Sequence, residues 1–479
     1  MRSRRFRIFA LVLTVFAAAM NFAGCDGKYG YRDATDDTIR TAAHTSSQSV
    51  ASTTETTAFK KIDLRGYEFL LANPRQLYYS PERATALDDE LGEIYMRIEN
   101  ELNCTIKLLP DIDERSLRTS AMSGAKLADF IRAGQSAWIP LIAMDGLRPL
   151  DSPAMRSAGL DARDPDNFYQ PYTKLSELNG HIWALDMSGK FDHTPFGHGF
   201  AFNKRLLEDA GYPPRDLYQA VRDGAWDYDM MITAAKWVTS DRNGDGIVDE
   251  WGVALDCDGA ELWSNGTGPI VRDANGKWVS NLHDPRVVDS MYFFMFHLAG
   301  NFDISPVVHN PSLTRYDRLG LFYTCKAGFA GFCGENLGNA GLASMPHPFG
   351  LVPVPKGPDA DGYSMVVTDL KGFVCLTSNR DWERSAVIMN EIGKSITSED
   401  GYKAATLEML RGDAAAYEML FDYMLPNAVL NIANCGDAMY RLFRYQLCDG
   451  IYSGELYAVA AAEAFNAAIQ TELDAVFRQ

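Results

Sequence analysis

Short apolar runs alternate with amphipathic stretches through most of the chain, and the spacing of each predicts an element. Residues 67–72 are mostly apolar and are bounded by Gly66 and by Asn73 and Pro74, which predicts a buried strand. Leu87, Leu91, Ile94, Tyr95, Ile98 and Leu102 then recur at helical spacing, with acids on the other face. Residues 105–109 and 127–131 predict two further strands, the second preceded by a polar helical stretch. Strand, helix, strand, helix, strand in this order favours a parallel sheet with helices on its faces. Ligands of such sheets sit beyond the carboxyl ends of the strands, so the segments 73–79 and 132–138 are the first candidates for contact.

A second β/α stretch opens near Gly199. Residues 198–203 read as a strand, and 204–210 as a short helix ended by Gly211 with Pro213 and Pro214 beyond it. Asp227 is placed to cap a helix running to Val238, with Asp229 in its first turn. Residues 251–256 and 372–377 read as strands. A helix with Ala386, Met389 and Ile392 on one face follows, and 455–478 form an Ala-rich helix. No internal repeat is present. Residues 62–479 suffice for two domains of ordinary size.

The first sixty residues break this rhythm. Arg2, Arg4, Arg5 and Arg7 precede an uncharged apolar stretch, Ile8 to Met20, which is too short to span a membrane as a stable helix. Phe22, Ala23, Gly24 and Cys25 follow and resemble a bacterial lipobox, in which the chain is cut before the Cys and its thiol receives a diacylglycerol. Small side chains let the peptidase reach the backbone, and only Cys offers the nucleophilic sulfur. The competing reading is an ordinary signal peptide with an incidental Cys. Half of residues 34–57 are Ser or Thr, so this segment buries too little apolar surface to fold. A flexible tether of about 36 residues averages on the order of 30 Å end to end. The predicted layout is therefore a signal peptide over 1–24 and a lipidated Cys25 with its tether over 25–61.

Charge narrows the partners. Cleavage after Gly24 removes four arginines and no acid, taking the formal charge from −18 to −22. So acidic a surface argues against nucleic acid and against direct adhesion to anionic lipid. Seven cysteines remain beyond Cys25, and none forms a CxxC pair, which does not read as a disulfide framework. Cys104, Cys257 and Cys375 sit in strand-like runs as small hydrophobes. A single bridge, Cys325–Cys333 or Cys435–Cys448, stays open.

One motif is chemically sharp. Asp241, Asn243, Asp245, Gly246, Ile247 and Asp249 have the spacing of an EF-hand calcium loop, with oxygens at alternate positions and a Gly at the sharp turn. Ile247 offers its backbone carbonyl. Position 12, normally a bidentate Glu, is Gly252, so Glu250 must supply the last carboxylate. The predicted cofactor is a structural Ca2+, with no open coordination position for catalysis. The same residues also read as a tight Asx-rich turn between a helix and a strand.

At this point the chain resembles the family 1 extracellular solute-binding proteins, the maltose-binding-protein type. Residues 123–129 resemble the family's "sG…pDv" strand entry, and 146–151 follow it as expected. Residues 179–185 resemble "dGkiYalP", 202–211 resemble "yNKdlfekaG", and 224–227 resemble the "tWdEf" helix start. Residues 325–330 take the place of "GkaAm", and 352–358 resemble "PlPkGP". The chain departs from the pattern at Asp186, where the family has Pro, at Phe329, and over 188–198, which are longer and richer in His and Phe.

The resemblance implies an α/β, two-lobed periplasmic-binding-protein-like fold, each lobe a mostly parallel sheet flanked by helices, with the ligand cleft between lobes. Lobe 1 would take 62–186 plus 372–430, and lobe 2 would take 187–371 plus 431–479. It implies a monomer that captures a carbohydrate, an oligosaccharide above all, by lobe closure and delivers it to an ABC permease. By analogy with other lipoproteins, Asp26 directs the anchored protein to the outer face of the cytoplasmic membrane. Sugars are held by aromatic faces and paired hydrogen bonds. Arg75, Tyr78, Tyr79, Gln135 and Trp138 are candidates by position after lobe 1 strands. Trp263 and Asn265 follow the strand beyond the calcium loop. Glu335 and Asn336 follow the "GkaAm"-like segment, where family members contact ligand. Trp183 and Trp226 read as core, while His193 and His198 stay open. A ligand-presenting lipoprotein for a sensor kinase shares this closing chemistry. A secreted carbohydrate-active enzyme is the remaining alternative, but no nucleophile elbow or zinc-protease motif is present, so no catalytic role is assigned.

Overall fold

The computed structural model describes residues 62–77, 85–255 and 259–478. Cys25, the signal and tether segments, Tyr78, Tyr79 and Cys257 lie outside the described residues.

The first sheet follows the predicted β/α order. Strands β1 (Tyr67–Ala72), β2 (Cys104–Leu109) and β3 (Phe130–Gly134) alternate with helices α1 (Ala86–Leu102) and α2 (Glu114–Ser123), and α3 (Gln135–Ala143) follows directly. β1 lies parallel between β2 and β3, in register Tyr67↔Cys104 and Leu71↔Phe130. The late strand β13 (Lys371–Val374) closes the edge antiparallel to β3, giving the order β13-β3-β1-β2. Helix α1 starts at a capping box between Thr85 and Asp88 and buries Leu91, Tyr95, Ile98 and Leu102. Leu87 shares their period but stays 49% exposed at the helix start. Together with Phe69, Phe130, Phe373, Met389 and Ile392 these side chains form one core.

β3 begins three residues later than its apolar run. Asp129 is the cause. Its buried carboxylate accepts from Leu70 N at 2.7 Å, from the Tyr67 hydroxyl at 2.5 Å and from Ser385 Oγ at 2.5 Å, and it pairs with Lys126 at 2.9 Å. Residues 127–129 therefore anchor the strand, and Asp129 also donates its backbone N–H to Leu70 O at 2.8 Å.

A small antiparallel hairpin, β4 (Glu177–Leu178) with β5 (His181–Ile182), precedes the passage to the second sheet. That sheet has the order β11-β6-β10-β7, from β6 (Gly199–Asn203), β7 (Trp251–Ala254), β10 (Ala327–Phe332) and β11 (Phe349–Val352). β6 runs antiparallel to both neighbours, and only β10–β7 is parallel. Gly350 packs so closely on Phe202 that an added Cβ would sit 2.3 Å from its ring. Asp227 caps the helix Tyr228–Val238 by accepting from Met230 N at 2.9 Å, as its sequence position predicts. A second small hairpin joins β8 (Ile270–Arg272) to β9 (Trp278–Ser280).

Residues 186–198 and 353–370 pass between the two sheets. β12 (Met365–Val367) in the second passage pairs in parallel with β14 (Ala428–Leu430), making a two-stranded ribbon. His198 N donates to Val366 O at 2.9 Å and ties the two passages together. The helices Trp382–Ile396 and Ala458–Phe477 match the two late helical predictions. Neither of the two open disulfide pairings, Cys325–Cys333 or Cys435–Cys448, is formed. Among the described residues no helix is long and apolar enough to cross a membrane.

Candidate ligand cleft

The carboxyl ends of both sheets open on one cleft. On the first sheet, Asn73 ends β1 in a left-handed turn (φ 55°), donates to Arg132 O at 3.0 Å and accepts from Ile112 N at 2.5 Å. This knot fixes where the chain leaves the sheet and places Arg75 (φ 49°) on the surface. At the end of β3, a Cβ on Gly134 would stand 2.8 Å from Asp369 Oδ1, so a side chain there would displace that carboxylate. On the second sheet, β10 runs out into Cys333, Glu335 and Asn336, where Asn336 Oδ1 accepts from Cys333 N at 2.8 Å.

A cavity of about 500 Å3 lies between these ends, lined by Ser136, Phe196, His198, Tyr316, Glu335, Asn336, Asp369, Asp437 and Tyr440. A second chamber of about 310 Å3 holds Arg75, Asp192, His193, Phe196 and Glu335. The two share Phe196 and Glu335 and so form one cleft. Its size suits a small ligand, and its site beyond strand ends is where α/β sheets bind theirs.

Charges in the cleft are arranged in pairs. Lys371 lies 2.8 Å from Asp369 and 3.0 Å from Glu335, joining the β13 edge of one sheet to the β10 end of the other. Arg132 and Asp192 form a buried ion pair at 3.0 Å, pinning the crossing segment to β3. Burial holds the His193 imidazole below its usual range, and its Nδ1 has no hydrogen-bond partner. Asp186 is fully enclosed, and burial pushes its carboxyl up to about 6 despite bonds from Ser188 N and the Thr194 hydroxyl.

The sequence candidates fall into four groups. Arg75, Glu335 and Asn336 line the cleft. Gln135 does not reach it: its amide donates to Asn431 O at 2.7 Å and accepts from Leu370 N at 2.9 Å, clasping two distant segments. Trp138 is buried in the core with its indole N–H directed at Leu370 O. Asn265 is likewise buried, accepting from Asp359 N at 2.8 Å and donating to Arg286 O at 3.3 Å. Trp263 lines a different cavity, of about 980 Å3. Tyr78 and Tyr79 are outside the described residues. Trp183 and Trp226 are core, as expected, and both open histidines line the cleft. Tyr316, Asp369, Asp437 and Tyr440 went unnoticed in the sequence. The pairing of β12 with β14, helped by the Gln135 amide on Asn431 O, brings the last two to the cleft, and no local pattern signals it.

The 241–250 loop is wound by its own carboxylates. Asp241 accepts from Gly244 N and Gly246 N, Asn243 from Asp245 N, and Asp245 from Ile247 N. Gly244 and Gly246 take the left-handed φ (75° and 87°) that the turn requires. The donor types and the turn fit a hard cation. Glu250, however, is committed to Arg242 at 2.6 Å, and among the described residues no group of three His, Cys, Asp or Glu stands ready to hold a metal.

Two α/β units joined by crossing segments, with a cleft at their strand ends, define the fold of the maltose-binding type of solute-binding protein. The chain is similar to the maltose/maltodextrin-binding domain MalE from Bdellovibrio bacteriovorus bound to maltotriose, with TM-score 0.55 and 16% identity over 85% of this chain and 99% of that one. It is also similar to the ABC substrate-binding protein Lmo0181 from Listeria monocytogenes in complex with cycloalternan (TM-score 0.56, 12% identity, 85% and 99% covered). UgpB from Mycobacterium tuberculosis in complex with glycerophosphocholine matches as well (TM-score 0.57, 16% identity, 85% and 98% covered). No protein-family model and no curated protein sequence matches the chain. At these identities the likeness establishes the fold.

Proposed function

We propose that this protein captures a carbohydrate, with an oligosaccharide favoured, between its two halves and delivers it to an ABC importer. The observation that carries this reading is the cleft itself: strand ends of two sheets facing each other, with Tyr316 and Tyr440 beside Asp369, Asp437, Asn336 and Arg75. Aromatic faces suit the C–H-rich faces of sugar rings, and paired polar groups suit their hydroxyls. A ligand touching both halves gains contacts only when they approach, which favours a closed form that a permease can recognise. Presentation to a sensor kinase would use the same closure. A thermal-shift and calorimetric screen of oligosaccharides tests the reading. Saturable binding with no release of reducing ends is expected. Turnover would favour the carbohydrate-active enzyme, and no binding by any sugar would overturn the proposal.

The reading includes two further parts. Cys25 anchors the chain to the outer face of the cytoplasmic membrane, so Cys25→Ser should release the protein to the medium; acyl labelling of that variant would refute the anchor. Asp241, Asn243, Asp245, Ile247 O, Asp249 and Glu250 hold a structural Ca2+ once Glu250 exchanges Arg242 for the cation. Calcium should then raise the melting temperature, and Asp245→Ala should abolish the rise. An unchanged melting temperature on chelation would count against the site.

A further inference from the structure

The largest cavity among those described, about 980 Å3, is not the cleft. It runs along β14 from Asn427 to Ile432 and meets the other passage at Tyr363 and Ser364 before β12, whereas the cleft meets the ribbon at Val367, Thr368 and Asp369. Lys174, Glu177 and Gly180 of the β4–β5 region form one wall. Trp263, Arg272, Trp278, Arg286 and the segment 359–364 form the other, and Val429 and Leu430 of β14 lie between.

The aromatic rings here are held in place before any ligand arrives. A Cβ on Gly268 would come within 2.1 Å of Trp263 Nε1, so the glycine lets the indole lie flush against the backbone. The Trp263 carbonyl accepts from Ser364 Oγ at 3.3 Å. The Arg272 guanidinium stacks on Trp278 at 4.5 Å from the ring centre. Rings fixed in this way lose little entropy when they bind.

The charges decide the ligand class. Three acids, Glu177, Asp359 and Asp361, face three bases, Lys174, Arg272 and Arg286. Glu177 already pairs with Arg163 at 3.1 Å, and Arg286 pairs with Asp284 at 2.8 Å. An ion gains no net field from a balanced lining, and an apolar molecule would desolvate charges without replacing their hydrogen bonds. A neutral molecule with many hydroxyls and apolar ring faces satisfies both constraints. We propose that this cavity is a second saccharide site, in which Trp263 covers a ring face while Arg272, held in place on the Trp278 ring, takes hydroxyls together with Asp361 and Lys174. The site goes beyond the function assigned to the cleft, and either reading can fail without the other.

The test uses the full-length protein and four probes: maltotriose, cellotriose, xylotriose and mannotriose. Each is titrated by calorimetry and by tryptophan fluorescence into the parent and into a cleft-impaired Asp437→Ala/Tyr440→Ala variant. At least one probe is expected to bind the cleft-impaired variant at millimolar concentration and to change its tryptophan emission. Adding Trp278→Ala or Asp361→Ala should weaken that binding about tenfold or more. Asp361 is exposed, so its removal leaves the fold intact even if Trp278→Ala does not. The proposal is overturned if none of the four binds the cleft-impaired variant, or if binding there survives both substitutions. Loss of parent binding in Asp437→Ala/Tyr440→Ala reports on the cleft alone.

Discussion

The cleft at the carboxyl end of the β12–β14 ribbon and the second cavity along the flank of β14 are built by different means. The cleft is framed by strand ends, where the sheets themselves dictate which residues emerge, and its charges are locked in pairs such as Arg132–Asp192 and Lys371–Glu335. The second cavity is framed by hairpins and loops, and its rigidity comes from packed tryptophans. The difference teaches that a site at strand ends inherits its order from hydrogen-bonded ladders, while a loop-built site must supply its own by packing.

Five single substitutions probe this contrast. The largest effect belongs to Arg132→Ala, which strands the Asp192 carboxylate at 4% exposure. Loss of one partner of a buried pair costs about 3–5 kcal/mol, to be read by chemical denaturation. Replacing both, as Arg132→Met with Asp192→Leu, should recover most of it; an Arg132→Ala variant as stable as the parent would remove the pair from the frame of the cleft. Among the described residues no equivalent buried pair supports the second cavity, so Arg272→Ala should cost far less.

Next comes pH. Asp186 keeps its proton in the fold up to about 6, against an ordinary value of 3.8, because of burial first and the neighbouring Asp192 last. The folded chain therefore binds more protons than the unfolded chain between these values. Its contribution is fully present below pH 4 and is lost as pH rises through 6, on the order of 3 kcal/mol. Asp186→Asn should flatten that slope in a series of melts, and a parent slope of opposite sign from this residue would refute the assignment. Smaller again, Tyr440→Ala should weaken saccharide binding in the cleft about tenfold, or about 1.4 kcal/mol, while Arg272→Ala leaves it unchanged. Smallest, Lys371→Met removes two partly exposed ion pairs and should cost below about 1 kcal/mol, less in high salt.

Much of the fold was legible. The periodic segments at 67–72 and 87–102, the Asp227 cap and the Ala-rich end all form where their patterns place them. Periodicity failed where a single polar contact outweighed it, as at Asp129. Site residues were harder for a physical reason. Position after a strand fixes the backbone but not the direction of the side chain, so Gln135 and Trp138 turn inward along α3 while Ser136 between them faces the cleft. Asn265 shows the same limit, since its amide serves the turn at Asp359. Tyr440 and Asp437 lie some three hundred residues beyond β3, and only the tertiary path of the ribbon brings them to it.

That ribbon has a consequence for control. β12 and β14 form a rod that borders two chambers, one along β14 and one at its carboxyl end, each walled by parts of both halves. A molecule that fits the far chamber at one spacing of its walls selects one setting of the rod, and with it one width of the cleft. Linkage then requires reciprocity: whatever factor the far occupant applies to affinity in the cleft, the cleft occupant returns to it. A cleft built on such a rod can be tuned from behind, without any competitor entering it.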